Sequence, residues 1–313
     1  MNKKAVLAIG GNAIIKAGEE GNISQQFANT RQSLGGIVEL IRQGYLLAIT
    51  HGNGPQVGNL LLQQTAGMKM NVAPLPLGVL NAATEGTMGY MIEQSLMNKL
   101  KEFNLDNNVI TIVSQVQVDK QDPSIKNPSK PVGPFYTKED AKKAEKNYGW
   151  TFVEDSGRGY RQVVPSPKPI DIVQSKQIKQ LVEDGNIVIS CGGGGIPFYK
   201  EGNVSEGCDA VIDKDYASAL LAEQIGAEKL VILTGVDKVA INFGKPNQQE
   251  FDKLNLEDTK KYLAEGHFPA GNMGPKISAA IKFIEAGGKE VLITSIEKIV
   301  DAFQGKTGTI ITK

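Results

Sequence analysis

The 313-residue sequence predicts an α/β protein, a mainly parallel open sheet covered by helices on both faces. The first sign is a set of unbroken apolar runs, such as Ala5-Val6-Leu7-Ala8-Ile9 and Tyr45-Leu46-Leu47-Ala48-Ile49. Runs of that kind read as strands buried on both faces, as parallel sheets require. Segments with helical apolar spacing separate them, at lengths suited to crossover connections. Glycine-rich loops follow the strands, at Gly10-Gly11-Asn12, Gly52-Asn53-Gly54 and Gly192 to Gly195. A chain of this length is expected to divide into two lobes, and the boundary is placed near Asp213, giving 1–212 and 213–313.

Composition narrows the class. Lysine and arginine total 34, as do aspartate and glutamate, so there is no basic excess to serve a nucleic acid. Two distant cysteines, Cys191 and Cys208, form neither a CxxC motif nor a disulfide framework, and a reducing cytoplasm suits them. Lys3-Lys4 before an apolar run resembles the start of a signal peptide, but Gly10-Gly11-Asn12 cuts the run short. No segment approaches the roughly 20 apolar residues that span a bilayer. The expectation is a soluble cytoplasmic protein.

In chain order, the Ala5–Ile9 strand is followed by a helix over Phe27–Gln43, with Leu34, Ile37, Leu40 and Ile41 on one face and Gly44 ending it. The Tyr45–Ile49 strand runs into His51-Gly52-Asn53-Gly54-Pro55. Helices are predicted over Gln56–Gln64 and Thr87–Phe103, then a β-rich stretch over Asn108–Val118. Between Asp119 and Pro169 the rhythm breaks. Pro123, Pro128, Pro131 and Pro134 cluster there, Thr137 caps a polar helix through Lys146, and Trp150–Val153 and Tyr160–Val164 flank a hairpin turn. This composition predicts a small antiparallel subdomain protruding from the main body. Order resumes with a helix over Ile172–Glu183 and the Ile187–Ser190 strand. Beyond Asp213, strands at Leu230–Leu233, Val291–Thr294 and Thr309–Ile311 alternate with helices at Tyr216–Gln224, Leu256–Ala264, Lys276–Ala286 and Ile296–Phe303.

Ligands of open α/β sheets sit outside the carboxyl ends of the strands, so the three glycine loops can face one crevice. Taken alone, Gly10-Gly11 serves equally well as a tight turn or as a phosphate cradle. Familiar nucleotide motifs fail. Gly52–Val57 has Val57 where a dinucleotide fingerprint needs glycine or alanine, and Gly305-Lys306-Thr307 lacks the first P-loop glycine because Val300 stands there. A phosphate site must therefore import its cations. Lys276, after Gly274-Pro275, and Lys214, inside Asp213-Lys214-Asp215, both sit at predicted helix starts, where the dipole disfavours a cation unless an anion lies between them. Asp215 is the expected cap of its helix. Lys130 stands in a loop stiffened by Pro128, Pro131 and Pro134. For each lysine, extension into solvent is the ordinary alternative. Asp209, Asp213 and Asp215 can orient these lysines, cap helices or hold a metal. With only His51 and His267, neither a hydrolytic triad nor a zinc site is indicated.

Taken together, these segments resemble the amino acid kinase family: Ile9–Ala13, Thr50–Gly58 and Cys191–Pro197 carry the likeness over essentially the whole chain. Asn127–Pro134, Ile212–Asp215 and Gly271–Ile277 narrow it to the branch acting on carbamate, with Met273 where a serine form of the motif is familiar. The resemblance implies a homodimeric three-layer αβα sandwich with a carbamate or carbamoyl-phosphate lobe (1–212, including the subdomain at 119–169) and a nucleotide lobe (213–313). It implies that Gly10, Gly11, Asn12, Gly52 and Asn53 line the transfer site, and that Lys130, Lys214 and Lys276 act on the phosphoryl group. Asp213, Asp215, Thr234, Val236, Asp237, Ala240, Phe243 and Met273 would hold ATP or ADP, with Mg²⁺ carried mainly by the nucleotide phosphates. Phosphoryl transfer to carbamate needs no general base, which accounts for the poverty in histidine. The implied physiological direction makes ATP from carbamoyl phosphate in arginine catabolism. Acetylglutamate or aspartate kinase, a non-catalytic nucleotide sensor and a nicotinamide oxidoreductase are the competing readings, and the insert is expected to work as a lid bearing Lys130.

Overall fold

The computed structural model describes residues 3–10, 14–15, 19–68, 70–155, 157, 159–269 and 271–313. β1 (Lys3–Ile9) and β2 (Tyr45–His51) are the predicted opening strands. Between them the expected single helix is two, α1 (Ile23–Ser33) and α2 (Gly35–Arg42). Two consecutive poor helix formers, Gly35 and Gly36, permit the break. Gly36 is also required sterically, since a Cβ there would lie 2.3 Å from the Ile299 side chain. α1 starts at a capping box, with Asn22 accepting from the Gln25 N–H and Gln25 reaching back to Asn22. α3 (Gly54–Met68) and α4 (Leu77–Glu102) both run longer than expected. The β-rich stretch divides into β3 (Val109–Thr111) and β4 (Gln115–Val118), which join different sheets.

The insert begins with a short α5 (Pro123–Lys126) and contains β5 (Lys130–Tyr136), α6 (Lys138–Tyr148), β6 (Thr151–Glu154) and β7 (Tyr160–Val164). The expected hairpin is present, pairing Phe152 with Gln162. The Lys130 segment, expected to be a loop, is instead the edge strand of a β5-β7-β6 antiparallel sheet. An edge tolerates Pro131 and Pro134, and the register shifts between Val132 and Phe135 where Gly133-Pro134 interrupt pairing. Val132 and Val164 of this sheet pack on Val57 and Leu61 of α3 and Leu77 and Leu80 of α4. The insert is therefore docked on the body.

Past the insert, β8 (Pro169–Ile172) takes Ile172, the residue expected to open a helix, and α7 (Ser175–Glu183) starts later. β9 (Ile187–Ile189) ends in a tight turn at Gly192–Gly194, and β10 (Ile196–Glu201) and β11 (Val204–Gly207) make an unexpected hairpin. The remainder is α8 (Lys214–Ile225), β12 (Lys229–Thr234), the β13 (Val239–Ile241) and β14 (Gln249–Phe251) hairpin, β15 (Lys253–Asn255), α9 (Leu256–Ala264), α10 (Met273–Glu285), β16 (Glu290–Ser295), α11 (Ile299–Phe303) and β17 (Thr309–Thr312).

The main sheet has the order β15-β17-β16-β12-β1-β2-β9-β3 and is parallel at every junction except β16–β17. It runs without interruption from the N-terminal half into the C-terminal half through the β1–β12 pair. Alternate residues feed two cores. Ala5, Leu7, Leu47, Ile49, Val231 and Leu233 face α2, α4 and α11, whereas Val6, Ala48, Leu230 and Ile232 face α7, α8, α9 and α10. Each valine, leucine or isoleucine side chain hidden this way contributes about 1.5–3 kcal/mol. The arrangement is the expected three-layer αβα sandwich. No helix among the described residues is long and apolar enough to cross a membrane.

Candidate active site

The carboxyl ends of β1, β2, β9 and β12 open into one cavity of about 700 Å³. Gly10 follows β1, Gly52 and Asn53 follow β2, and Gly193 follows β9, so the three glycine loops do share a crevice. Gly11 and Asn12, also expected there, lie outside the described residues. The third loop folds tightly because it must. From Cys191 (φ 52°) through Gly193, Gly194 and Gly195 (φ 63°, 97° and 84°) the backbone is left-handed at most positions. Added Cβ atoms would lie 2.2 Å from Asn53 Nδ2 at Gly193 and 2.2 Å from the Ile212 carbonyl at Gly194.

Three lysines from three distant segments, Lys130, Lys214 and Lys276, meet in the same cavity. Asp213, not Asp215, caps α8, because Lys214 already has helical geometry; its Oδ1 accepts from the Asp215 N–H at 3.0 Å. The other oxygen of Asp213 receives Lys130 Nζ at 2.7 Å, which ties the insert to the C-terminal half. Asp215, buried in the first turn of α8, accepts Lys214 on one oxygen at 2.5 Å and Lys276 on the other at 3.0 Å. Lys276 is the fourth residue of α10, since that helix opens at Met273. Three cations thus face two carboxylates, which leaves one positive charge over, and the starts of two helices of 12 and 13 residues add their dipoles. Such a wall attracts a polyanion.

Burial alone would raise the Asp215 carboxyl, but Lys214 and Lys276 outweigh it and hold it below the usual carboxylate range. Burial, reinforced by the like charge of Lys214, draws Lys276 below its ordinary value against the opposing pull of Asp215.

Of the expected nucleotide residues, Asp213, Asp215, Thr234, Val236 and Met273 line the cavity. Asp237 is exposed just beyond it, Ala240 is buried in β13, and Phe243 is 62% exposed at the β13–β14 turn. The cavity also takes Asn29 and Gln32 of α1 and Arg161 of β7, which no motif announces. Arg161 donates through Nη2 to the Gly133 carbonyl at 3.1 Å. His51 is buried beneath the glycine loops, and burial lowers it to about 4, the Gly52 carbonyl opposing; it stays neutral and is no base at physiological pH. Burial pushes the Cys191 thiol up to about 12, so it is no nucleophile.

A glycine-lined cavity at the carboxyl edge of a parallel sheet, with lysines from distant segments in its wall, is built to take an anionic group such as a phosphate. A model of the amino acid kinase family matches residues 3–295, and the chain belongs to that family. It is 48% identical over 313 residues to the carbamate kinase of Thermococcus kodakarensis, covering 99% of both chains. It is 47% identical to that of Clostridium perfringens, with 99% of this chain and all of that one covered. A carbamate kinase from Giardia lamblia bound to AMP-PNP superposes with a TM-score of 0.94 at 42% identity, over 100% of this chain and 99% of that one.

Proposed function

We infer that the protein is a carbamate kinase, transferring a phosphoryl group reversibly between ATP and carbamate. The observation that carries this is the set of Lys130, Lys214 and Lys276, held by Asp213 and Asp215, which lines one cavity together with the glycine loops. Carbamate is already an oxyanion, so its oxygen attacks the γ-phosphorus without losing a proton. The bond to the bridging β–γ oxygen breaks, and ADP leaves with the electron pair. Lys214 and Lys276 turn from Asp215 towards the equatorial oxygens as their charge develops, and Lys130 reaches in from the insert. Backbone N–H groups of the glycine loops align the donor and acceptor. The 1–212 half then holds carbamate or carbamoyl phosphate and the 213–313 half the nucleotide, with Lys130 making the insert a lid.

Among the described residues no cluster of three metal-binding side chains forms, and both site aspartates are engaged by lysines. That donor set fits an Mg²⁺ that arrives on the nucleotide phosphates, whose charge it neutralises, better than a protein cage. In the reverse direction the site makes ATP from carbamoyl phosphate, the direction that serves arginine catabolism. Its two free cysteines, one buried and one half-buried, suit a reducing cytoplasm.

A homodimer is the assembly we propose. The outer face of α4 shows Val79, Ala83, Gly86, Thr87, Tyr90, Gln94, Met97 and Asn98 to solvent, a run of eight positions without a charge. A second copy crossing it would bury Val79, Tyr90 and Met97. Tyr90→Glu is expected to halve the mass found by sedimentation equilibrium; a monomeric parent, or an unchanged variant, would refute this face.

A panel of acceptors tests the substrate. With ATP, the purified chain is expected to turn over carbamate and to ignore N-acetylglutamate and aspartate. Those acids carry an extra carboxylate that calls for a bidentate arginine, and Arg161, its Nη2 on the Gly133 carbonyl, is the one arginine among the described residues lining the cavity. Turnover of either acid faster than carbamate would overturn the assignment. ATP binding with no turnover on any acid would favour a nucleotide sensor.

A further inference from the structure

Behind the glycine corner lies a buried polar cluster that the steps above leave unused. Glu85 is 1% exposed on the inner face of α4, in the stripe that carries Met88 and Ile92. Its Oε2 accepts the Ser114 N–H at 2.7 Å, while Oε1 is buried without a hydrogen-bond partner. The Ser114 hydroxyl accepts the Cys191 N–H at 2.9 Å and donates to the Ile112 carbonyl at 3.0 Å. Gly192 is wedged beside it, where a Cβ would lie 2.4 Å from the His51 ring and 3.0 Å from Glu85 Cγ. On the far side, Asn81 of the same helix donates to the Gly192 carbonyl at 3.2 Å and accepts from Asn53 at 2.6 Å.

A buried carboxylate served by one N–H and by no cation is poorly compensated. Burial accordingly pushes the Glu85 carboxyl well above its usual range, with only the Ser114 N–H opposing. The titratable groups facing it are His51 from β2 and Cys191 from the corner after β9, and both are neutral for the reasons given above.

We propose that Glu85 is a positioning residue for phosphoryl transfer: its Oε2 clamps the Ser114 N–H and, through Ser114, the Cys191 corner that sets Gly193 in the cavity. The inference rests on the phosphotransfer reading of that cavity. Deprotonation would leave an unpaired charge against the corner, so kcat falls as the pH rises through the titration of Glu85. The same proton affects stability. The folded state holds it more tightly than the unfolded chain, so stability declines as pH climbs from the unfolded value near 4.5 towards the higher folded value.

The test compares Glu85→Ala, Glu85→Gln and Ser114→Ala in steady-state kinetics across pH. Misplacing the corner should lower kcat by roughly 10- to 100-fold in Glu85→Ala and Ser114→Ala, with KM for ADP within about twofold. Glutamine keeps the shape and an acceptor oxygen for the Ser114 N–H and cannot ionise, so Glu85→Gln should restore kcat to within about threefold and flatten the alkaline fall. Impairment of Glu85→Gln as deep as that of Glu85→Ala would overturn the proposal, as would a surviving alkaline fall in Glu85→Gln or full activity in Glu85→Ala. If Glu85→Ala fails to fold, Ser114→Ala and Glu85→Gln carry the test. A parent inactive on every phosphoryl substrate would defeat the phosphotransfer reading as well; an active parent with an unaffected Glu85→Ala defeats this inference alone.

Discussion

Lys276→Ala is expected to lower kcat by about 10²–10³-fold, about 3–4 kcal/mol of transition-state stabilisation, with a much smaller change in KM for ADP. Charge spreads over the equatorial oxygens only as the phosphoryl group transfers, so a cation aimed at them acts mainly on kcat. Two features make Lys276 costly to lose. It is nearly buried, with a side chain 12% exposed, so no mobile surface cation replaces it. Its removal also leaves Asp215 to Lys214 alone, which tightens that resting pair and withdraws a second cation from the substrate. Steady-state kinetics in the ATP-forming direction measure both effects, and a kcat within about threefold of the parent would show that Lys276 stands outside the reaction.

Asp215→Ala carries the largest expected effect on folding. Breaking a buried pair by removing one partner costs about 3–5 kcal/mol, because the remaining charges stay desolvated. Here two lysines with side chains 14% and 12% exposed would be left facing each other. The pH dependence has a definite sign. The folded Asp215 carboxyl titrates below its ordinary value of 3.8, so its contribution is present above that pH and is lost as pH falls through the folded value. Denaturant unfolding should therefore show a wide gap between parent and variant at pH 7 that narrows on acidification below about 3.8. Equal stabilities at pH 7 would mean that the two lysines do not depend on this carboxylate.

Much of this fold is readable from apolar runs. β1, β2 and β12 are buried on both faces, so their sequences carry no polar alternation to confuse, and the loops after them hold glycines for reasons the cavity makes plain. The edges of the molecule are harder. The β10–β11 and β13–β14 hairpins are short, and each pairs a partly or wholly buried strand with one, β11 or β14, that lies largely in solvent, so no single period runs through both strands. The strand at Lys130 hides behind Pro131 and Pro134, which only an edge position tolerates. Asp213-Lys214-Asp215 offers two candidate caps, and only the structure shows that the first caps the helix while the second holds the lysines. The three lysines are legible in the sequence because they are misplaced against helix dipoles or pinned by prolines. Asn29, Gln32 and Arg161 reach the cavity through tertiary packing alone. Glu85 had a signal that motif reading passes over: a charged residue on the apolar stripe of α4, spaced three and seven residues from Met88 and Ile92.

The account stands on one reaction. Purified full-length chain supplied with carbamoyl phosphate, ADP and Mg²⁺ should form ATP, and Lys214→Ala should remove most of that rate under the same conditions. ATP formation by the parent no faster than by Lys214→Ala would contradict the assignment of this lysine-walled cavity to phosphoryl transfer.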